Sequence, residues 1–294
     1  MLRYPTAAKG ASDARPKSII FCEGCGVGIA VPLWSDKDIE KLYSDGLYWN
    51  HSSVEVLTPR KYPVPYALAN ARWKMIERFF QRKDNGLKIL DFGAGHGFFG
   101  MAAAESTIVG LKKYACVERD RILSESLEKT WAIRFPAIPL EITDELEKVD
   151  DLFDCIIVSQ VLEHVVEPRS LIRLIFEKLS PGGLLFIDVP NQDHLFKEDV
   201  FPHLYFFNLN SLNSLLAGLG LNVKMIDCFG NDMHRSPLNK NVITFYSFLL
   251  KILMRIRAFI PISFLLLMSS RCFDISKRNN NGIWIRAICQ RPSV

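Results

Sequence analysis

The sequence of 294 residues is 49% hydrophobic and 23% charged, which is enough apolar material for a full core and excludes a disordered or low-complexity chain. A net charge of +4 is too small to indicate a nucleic-acid-binding protein. The charge is uneven, however, because residues 233–294 hold ten Lys or Arg and one acid, a net charge of +9. This asymmetry indicates that the carboxyl-terminal part faces an anionic surface.

The cysteine content and the hydropathy of the sequence predict the cellular compartment of the protein. Seven scattered cysteines, an odd number, are typical of a protein from a reducing compartment. Charged residues between Lys9 and Lys17 interrupt the apolar run that a secretory signal needs. The longest uncharged apolar run, 258–270, contains Pro261 and is too short to cross a bilayer. We therefore expect a cytoplasmic protein without a transmembrane span.

Residues 1–62 are predicted to form a small N-terminal extension. They contain the sequence Cys22-x-x-Cys25-Gly, followed by an acidic helix candidate at 35–45. Two thiolates at this spacing can hold one side of a tetrahedral zinc ion, but a structural site needs four ligands.

From residue 63 onward the pattern predicts one α/β domain, residues 63–294. Apolar residues at helical spacing predict a helix at 67–82, and short apolar runs then alternate with helix-like segments. This alternation predicts a doubly wound fold with a mostly parallel, seven-stranded sheet. The seven runs are 88–92, 114–118, 138–142, 154–159, 184–189, 221–226 and 283–289. The long segment between the last two runs, 229–282, is interpreted as an insertion.

A glycine-rich turn, DFGAGHG at 91–97, follows the first run and opens the next helix. Alternate glycines let the backbone bend tightly and approach a nucleotide-like ligand. A match to the dinucleotide fingerprint GxGxxG begins only at Gly95, several residues past the strand, and this keeps an NAD-dependent oxidoreductase as an alternative. The carboxylate of Asp91 disfavours a pyrophosphate and suits a ligand that carries an ammonium group.

The turn at 91–97 resembles motif I of the class I S-adenosylmethionine-dependent methyltransferases, and further segments resemble the later motifs of that family in order along the chain. These segments are Glu118 at the end of the second strand, Asp144 after the third, 153–165 with its Leu-Glu-His, 179–191 and 203–223. The resemblance covers 85–228 and 283–290, about half of the chain. It implies the Rossmann-like methyltransferase fold and S-adenosylmethionine as the cofactor.

The resemblance also implies which residues form the site. The implied cofactor-binding residues are Asp91, Gly93, Ala94, Gly95, Gly97, Glu118, Asp144 and Ser159, with Glu118 on the ribose hydroxyls and Asp144 beside the adenine. Because the sulfonium already activates the methyl group, the protein has to align the acceptor and remove a proton. The candidate catalytic residues are His164, His203 and Glu163. A surface role for Asp144 and a structural role for His203 stay open, as do a structural role for His164 and a role for Glu163 in orienting it.

The N-terminal extension resembles a known element of sugar and small-molecule methyltransferases. In those proteins a Cys-x-x-Cys-Gly turn is the second half of a zinc ribbon, and a proline and an acidic helix follow it. The first cysteine pair is missing here, so we expect a ribbon-like turn that does not bind zinc.

The insertion contains a predicted amphipathic helix from Val242 to Ile260, which Pro261 ends. One side carries the apolar residues Phe245, Leu249, Ile252, Leu253, Ile256 and Ile260, and the other side carries Ser247, Lys251 and Arg255. Such a helix is typical of packing against a core or another protein chain, and basic residues beside apolar surface are equally typical of a helix in a membrane interface. Both interpretations of 242–270 stay open.

The sequence therefore predicts methyl transfer from S-adenosylmethionine to a small-molecule or lipid-linked acceptor. A sugar or a quinone-like molecule methylated on oxygen is favoured, and a nucleic acid is disfavoured because no basic stripe with interleaved aromatic residues surrounds the predicted pocket. The alternatives are an NAD-dependent oxidoreductase and a module that binds the cofactor without catalysis. The expected location is cytoplasmic, with peripheral contact to the inner face of a membrane through 242–270.

Overall fold

The structure is a computed structural model of the chain, and it describes residues 1–6, 15–44, 53–80, 86–232, 245, 248–273 and 276–293. The strands in chain order are β1 (Leu2–Arg3), β2 (Ser18–Phe21), β3 (Gly28–Val31), β4 (Leu87–Phe92), β5 (Leu111–Val117), β6 (Leu140–Thr143), β7 (Phe153–Ser159), β8 (Leu179–Pro190), β9 (Tyr205–Phe206), β10 (Asn222–Asp232) and β11 (Gly282–Gln290).

The helices pack on both faces of the larger sheet and along its edges. They are α1 (Asp36–Ser44), α2 (Pro63–Ile76), α3 (Phe98–Ala104), α4 (Arg121–Arg134), α5 (Pro168–Glu177), α6 (Leu209–Ala217) and α7 (Ile262–Phe273). Local chemistry explains where several of them begin. Asp120 caps α4 by accepting from the N–H of Leu123, and Asn208 and Ser211 form a capping box on α6.

The larger sheet has seven strands in the order β10-β11-β8-β7-β4-β5-β6. The pairs from β8 to β6 are parallel, and β11 is antiparallel to both of its neighbours. Each of the seven predicted apolar runs forms one of these strands. The predicted doubly wound, mostly parallel fold is thus confirmed.

Side chains of the central strands point alternately to the two faces of the sheet, and each face carries one buried apolar layer. Leu90 belongs to the layer with Val158 and Leu185, whereas its neighbour Ile89 belongs to the layer with Trp73. Successive side chains of a strand point to opposite faces, so strands covered by helices on both sides are apolar throughout. The carboxyl ends of the parallel strands are left to carry polar side chains.

The N-terminal residues form a second, antiparallel sheet in the order β1-β2-β3-β9. Strand β9 comes from the later part of the chain, and the hydroxyl of Tyr4 donates to the carbonyl of His203 at 2.9 Å. The N–H of Ala30 donates to the carbonyl of Leu204 at 2.9 Å. The extension is therefore in direct contact with the segment that carries one of the candidate catalytic histidines.

The segment interpreted as an insertion is shorter and less regular than expected. Strand β10 continues to Asp232, inside 229–282. Of the helix predicted at 242–260, residues 248–255 are helical and 256–260 are not, while 242–244 and 246–247 lie outside the described residues. The apolar stretch after Pro261 forms α7. Within the described residues, no helix has both the length and the apolar character needed to cross a membrane.

Candidate functional site

A cavity of about 460 Å³ opens at the carboxyl ends of β4, β5 and β7, the edge where doubly wound sheets bind ligands. The glycine-rich turn forms part of its wall, and α2 closes it on another side. Two residues of the N-terminal extension, Asp36 and Ile39 on α1, also line it. The sequence-predicted residues that line this cavity are Asp91, Gly93, Ala94, Gly95, Glu118, Ser159 and His164.

The glycines of the turn adopt left-handed backbone conformations that other residues rarely adopt. The φ angles are +73° at Gly93, +54° at Gly95 and +66° at Gly97. A Cβ at Gly93 would lie 2.5 Å from the side chain of Val161, and one at Gly97 would lie 2.5 Å from Leu127. A Cβ at Gly95 would meet no protein atom within 4 Å. Gly95 therefore borders open space, whereas Gly97 is packed behind the cavity wall.

Asp91 is a buried carboxyl at the end of β4. Only 1% of it is exposed, and its Oδ2 accepts a hydrogen bond of 2.7 Å from the hydroxyl of Tyr114. The pKa of Asp91 is raised to about 7, mainly by burial. The hydrogen bond from Tyr114 lowers this pKa, and the nearby charge of Glu118 raises it further. Near neutral pH this group is therefore ready to become an anion when a cation binds beside it.

Glu118 follows β5 and faces the same cavity. Its Oε2 accepts from the N–H of Gly95 at 2.6 Å, and its Oε1 accepts from the N–H of Asp120 at 2.9 Å. Burial raises the pKa of Glu118, while these backbone donors oppose that rise. The two hydrogen bonds fix the orientation of the carboxylate, and each oxygen keeps a second lone pair for a ligand hydroxyl.

Asp144 lies outside this cavity. It is exposed and forms an ion pair of 2.7 Å with Lys148, whose hydrogen bond lowers the pKa of Asp144. It lines a shallower groove, to which Glu118 and Arg119 also contribute. Because Glu118 and Arg119 line both the groove and the main cavity, the two are adjacent. Asp144 as an adenine-side residue stays a prediction.

Two of the cavity residues that the sequence analysis did not predict contact Asp188, namely Arg72 on α2 and Gln160 after β7. Arg72 is buried, with its Nη2 2.8 Å from Oδ2 of Asp188, and its Nε is buried with no hydrogen-bond partner among the described residues. Gln160 has a φ of +57° and donates to Oδ2 of Asp188 at 2.7 Å. The available signal was the position of Arg72, four residues from both Leu68 and Ile76 on the predicted apolar face of the helix.

Ser159 and Arg286 complete the surroundings of Asp188, which is fully buried. The hydroxyl of Ser159 donates to Oδ2 at 3.4 Å, and Nε of Arg286 donates to Oδ1 at 2.9 Å. One carboxylate thus balances two buried guanidinium groups, because Arg72 also pairs with it. Burying charges in this way requires close pairing and several hydrogen bonds, both of which are present.

The three candidate catalytic residues lie together, although only His164 lines the cavity. The rings of His164 and His203 are 4.7 Å apart, edge to face, and Nε2 of His164 lies 3.8 Å from Oε1 of Glu163. His203 in turn has its Nδ1 3.0 Å from Oδ2 of Asp193, which also pairs with Lys197 at 2.8 Å. The histidines therefore form a buried row that begins at the cavity and ends at Asp193.

Burial and neighbouring charges set the protonation of this row. Burial, together with the proximity of His203, lowers the pKa of His164 to about 3 against an opposing backbone hydrogen bond with Pro202. Burial alone would raise the pKa of Asp193. The hydrogen bond and charge of His203, together with the charge and hydrogen bond of Lys197, outweigh burial and lower this pKa to about 2. Burial raises the pKa of Glu163 well above its ordinary value. Near neutral pH, His164 is thus an uncharged imidazole.

Two groups of residues bear on metal binding. Glu163, His164 and His203 offer ligand atoms that all lie within 4.8 Å of one another. Cys22 and Cys25 lie on the turn between β2 and β3, where backbone N–H groups of Cys25 and Gly24 lower the pKa of Cys22. Among the described residues, no third His, Cys, Asp or Glu ligand joins the two cysteines. The expectation of a chain without metal stays a prediction.

Similarity to solved structures agrees with the topology described above. The cyclase SpnF aligns with a TM-score of 0.52 and 13% identity, over 83% of this chain and 100% of that chain. A chain from the complex between a Haloferax volcanii methyltransferase activator and a methyltransferase aligns with a TM-score of 0.54 and 12% identity, over 80% and 93% of the two chains. At such low identity these likenesses show the fold alone.

Sequence comparison is more specific. The ubiquinone biosynthesis O-methyltransferase of Pseudomonas fluorescens is 30% identical over 110 residues, 37% of this chain and 46% of the relative. The mitochondrial enzyme of that name from Bos taurus is 25% identical over 163 residues, 48% of this chain and 43% of the relative. The chain thus spans less than half the length of either relative. A family model for the methyltransferase domain matches residues 64–225, more than half of the chain.

The family match covers the glycine-rich turn, Glu118 and the histidine row together. It favours the methyltransferase interpretation of the turn at 91–97 over the dinucleotide one that began at Gly95. The predicted resemblance to the class I S-adenosylmethionine-dependent methyltransferases is thereby confirmed. The chain belongs to the methyltransferase-domain family.

Proposed function

We propose that this protein transfers a methyl group from S-adenosylmethionine to a hydroxyl group of a small-molecule acceptor. The observation that carries the proposal is that one cavity brings together the carboxyl groups of Asp91 and Glu118 and the uncharged imidazole of His164. The curated relatives are named O-methyltransferases of ubiquinone biosynthesis, which supports oxygen as the methylated atom. Asp91, Glu118 and His164 have the chemistry to bind a cationic adenosyl donor and to deprotonate an acceptor.

The residues present fit the cofactor. Asp91, with its pKa of about 7, would gain from the ammonium group, and Arg72 has a buried Nε without a partner among the described residues, which suits the carboxylate of the methionine part. Glu118 would accept hydrogen bonds from the ribose hydroxyls, and open space at Gly95 allows close approach. Asp144, in the adjacent groove, is proposed on the adenine side.

In the proposed reaction the protein has to align the acceptor with the methyl group and remove one proton. When bound, S-adenosylmethionine supplies a methyl group that its sulfonium already activates. A carbon–oxygen bond forms as the carbon–sulfur bond breaks, and the acceptor hydroxyl loses one proton. We place that proton on His164, whose ring faces the cavity, although burial makes this imidazole a weak base before the acceptor binds. His203, held by Asp193, lies behind it as a positioning residue.

Substitution of the two histidines tests this assignment. We expect His164→Ala to lower turnover by roughly 10²–10⁴-fold, the usual contribution of a general base, and His203→Ala to lower it less. Affinity for S-adenosylhomocysteine should be unchanged in both, because the proposal assigns cofactor binding to Asp91, Glu118 and the glycine-rich turn and proton removal to the histidines. His194→Ala, which removes a histidine that packs against Phe206 outside the cavity, is the matched control. Unchanged turnover in His164→Ala would remove this residue from the mechanism.

Direct titration separates the proposed donor from the NAD alternative. Calorimetry with S-adenosylmethionine, S-adenosylhomocysteine and NADH should give binding for the first two only. Product formation, followed by mass spectrometry with a panel of catechol, quinol and sugar acceptors, then tests catalysis. Binding of NADH alone would overturn the proposed function. Tight cofactor binding with no product from any acceptor would favour the non-catalytic module instead.

We further propose a lipid-linked acceptor, sugar or quinone-like, that is reached at the inner face of a membrane from the cytoplasm. The support is a set of apolar side chains that 242–270 leaves exposed, in the most basic part of the chain. They are Phe245, Phe248, Ile252, Ile256, Phe259, Phe264 and Leu267, with Phe259 89% exposed. Flotation with vesicles should show binding by the intact protein and a loss of binding when Phe248 and Phe259 are both changed to Ser.

The proposed organisation has an N-terminal extension, 1–62, and a methyltransferase domain, 63–294. The insertion lies between the end of β10 at Asp232 and the start of β11 at Gly282. The extension supplies Asp36 and Ile39 to the cavity wall, so it is placed to contact the acceptor. Ile39→Ala should therefore alter the acceptor KM without altering cofactor affinity. An unchanged KM would separate the extension from acceptor binding.

A further inference from the structure

A second cavity, of about 840 Å³, lies between α2, α7 and β10. Four of the residues that line it are basic: Lys74, Arg78, Arg278 and Arg286. The rest are apolar or small and polar, and no acid lines it among the described residues. This composition differs from that of the main cavity, whose wall contains the carboxyl groups of Asp36, Asp91 and Glu118. The second cavity is therefore suited to an anion.

The two cavities lie on opposite faces of the same helix. Pro65, Leu68, Ala69 and Arg72 line the main cavity, whereas Ala67, Asn70, Ala71, Lys74, Met75 and Arg78 line the second one. Both sets follow the spacing of three and four residues that defines one helical face. A ligand can therefore occupy the second cavity while the cofactor occupies the first.

The basic residues of the second cavity carry more charge than their partners balance. Nε of Arg278 pairs with Asp227 at 3.1 Å, and Arg286 pairs with Asp188. Lys74 and Arg78 are both exposed, lie one helical turn apart and form no ion pair with the described residues. Like charges at this spacing repel each other, so an anion bound between them would be stabilised.

Apolar surface continues directly from the mouth of this cavity. Phe79, 39% exposed, and Leu267, 47% exposed, both line the cavity and face solvent. On α7, Phe264 is 43% exposed and continues the apolar surface of Leu267. A soluble phosphate would leave this surface in water, whereas a lipid would cover it. A second copy of the chain would bring the +9 charge of residues 233–294 against itself.

We propose that the second cavity binds the phosphate group of an anionic membrane lipid. The phosphate lies between the side chains of Lys74 and Arg78, and the acyl chains lie along Phe79, Phe264 and Leu267. In this proposal the second cavity is the place where the protein contacts a lipid headgroup. It rests on the membrane association proposed above. It assigns a function to the face of α2 that is turned away from the cofactor.

Vesicle binding by Lys74→Gln/Arg78→Gln tests the site, because Lys74 lies on α2, Arg78 lies in the 3-10 turn Glu77–Phe79 that follows it, and both are outside 242–270. The probes are vesicles of phosphatidylcholine with and without phosphatidylglycerol. Binding of the variant to the phosphatidylglycerol vesicles should fall roughly 30-fold, given about 1 kcal/mol for each basic residue near an anionic surface. The matched control, Lys129→Gln/Arg173→Gln, changes the net charge equally at exposed positions on α4 and α5 and should bind like the unaltered protein.

Three outcomes would overturn the site. The first is equal vesicle binding by the two double variants, and the second is glycerol phosphate binding as tightly as the vesicles. The third is a changed oligomeric state in Lys74→Gln/Arg78→Gln, measured by sedimentation. Cofactor calorimetry keeps these results apart from the proposed methyl transfer, since affinity for S-adenosylhomocysteine should be equal in every variant. If the first outcome is accompanied by a loss of vesicle binding when Phe248 and Phe259 are changed, the membrane contact is preserved and only the headgroup site is rejected.

Discussion

The two faces of α2 border two cavities that differ in the charge and type of the groups that line them. The main cavity is built from backbone in left-handed conformations and from buried carboxyl groups whose pKa values burial raises. The second cavity is built from long basic side chains and partly exposed apolar ones. A single substitution in the first should therefore remove an interaction that nothing else can replace. In the second, neighbouring side chains share the same role, so losses should be graded.

Asp188 connects the two faces, because it pairs with Arg72 of the main cavity and with Arg286 of the second. The largest effect should therefore follow Asp188→Asn. Two buried guanidinium groups would lose their counter-charge, and breaking a buried pair costs about 3–5 kcal/mol. Urea denaturation should show this loss in the free energy of unfolding. The control is Asp227→Asn, which breaks the more exposed pair with Arg278; equal losses in the two variants would contradict the special role of Asp188.

The glycine-rich turn offers the next largest effect and separates packing from binding. In Gly97→Ala, the new methyl group meets Leu127 at a φ of +66°, so we expect a loss of roughly 1–3 kcal/mol in the free energy of unfolding. In Gly95→Ala, the methyl group meets no protein atom, so stability should fall less. Cofactor affinity should fall in Gly95→Ala, because this residue lines the cavity. Calorimetry and denaturation of both variants check this; equal effects on both quantities would contradict it.

The pKa of Asp91 predicts a pH dependence confined to the main cavity. A carboxyl with a folded pKa of about 7 must lose its proton to pair with the ammonium group, so affinity for S-adenosylmethionine should fall up to tenfold for each pH unit below 7. Asp91→Asn should bind more weakly, with a flat profile. The free energy of unfolding should depend on pH in the opposite direction, because the pKa of this carboxyl is about 3.9 in the unfolded chain. The stability that its protonated form contributes is complete below about pH 3.9 and is lost as the pH rises through 7.

Calorimetry between pH 5.5 and 8.5, a range that spans roughly 1.5 units on either side of the Asp91 pKa, supplies the measurement. Vesicle binding through the second cavity should stay constant over this range, because no carboxyl or imidazole group among the described residues lines that cavity. Arg78→Gln serves as the control variant and should keep the affinity profile of the unaltered protein. A profile in Asp91→Asn that still rises towards pH 7 would assign the titration to another group.

The contrast between the cavities also explains what the sequence could predict. All seven strands of the larger sheet were predicted, because helices cover both faces and force continuous apolar runs. Asp91 and Glu118 were predicted because each lies next to the end of a strand, where local sequence fixes position. Both line the main cavity, and their roles as cofactor ligands stay predictions. Arg72 and Gln160 were missed, since their roles depend on contact with Asp188, which is 116 and 28 residues away along the chain.

The second cavity was not predicted for the same reason. Its lining comes from three separate parts of the chain, at 67–79, 225–229 and 263–286, and none of them contains a motif. The length of the helix at 242–260 was also overestimated, because periodicity extends the pattern through 256–260, where the backbone turns before Pro261. Periodicity reports which residues can share a helical face, and a proline acts on the residues before it as well.

Asp144 gives the smallest effect and tests how far the cofactor site extends beyond the main cavity. It is exposed, so Asp144→Asn should leave the free energy of unfolding unchanged, since exposed ion pairs contribute little. If Asp144 accepts a hydrogen bond from the adenine side of the cofactor, affinity for S-adenosylhomocysteine should fall roughly fivefold. The matched control is Glu145→Gln, because Glu145 also pairs with Lys148, at 3.3 Å, but does not line the groove. Equal affinities in the two variants would restrict the site to the residues around Asp91 and Glu118 and make Asp144 a surface acid.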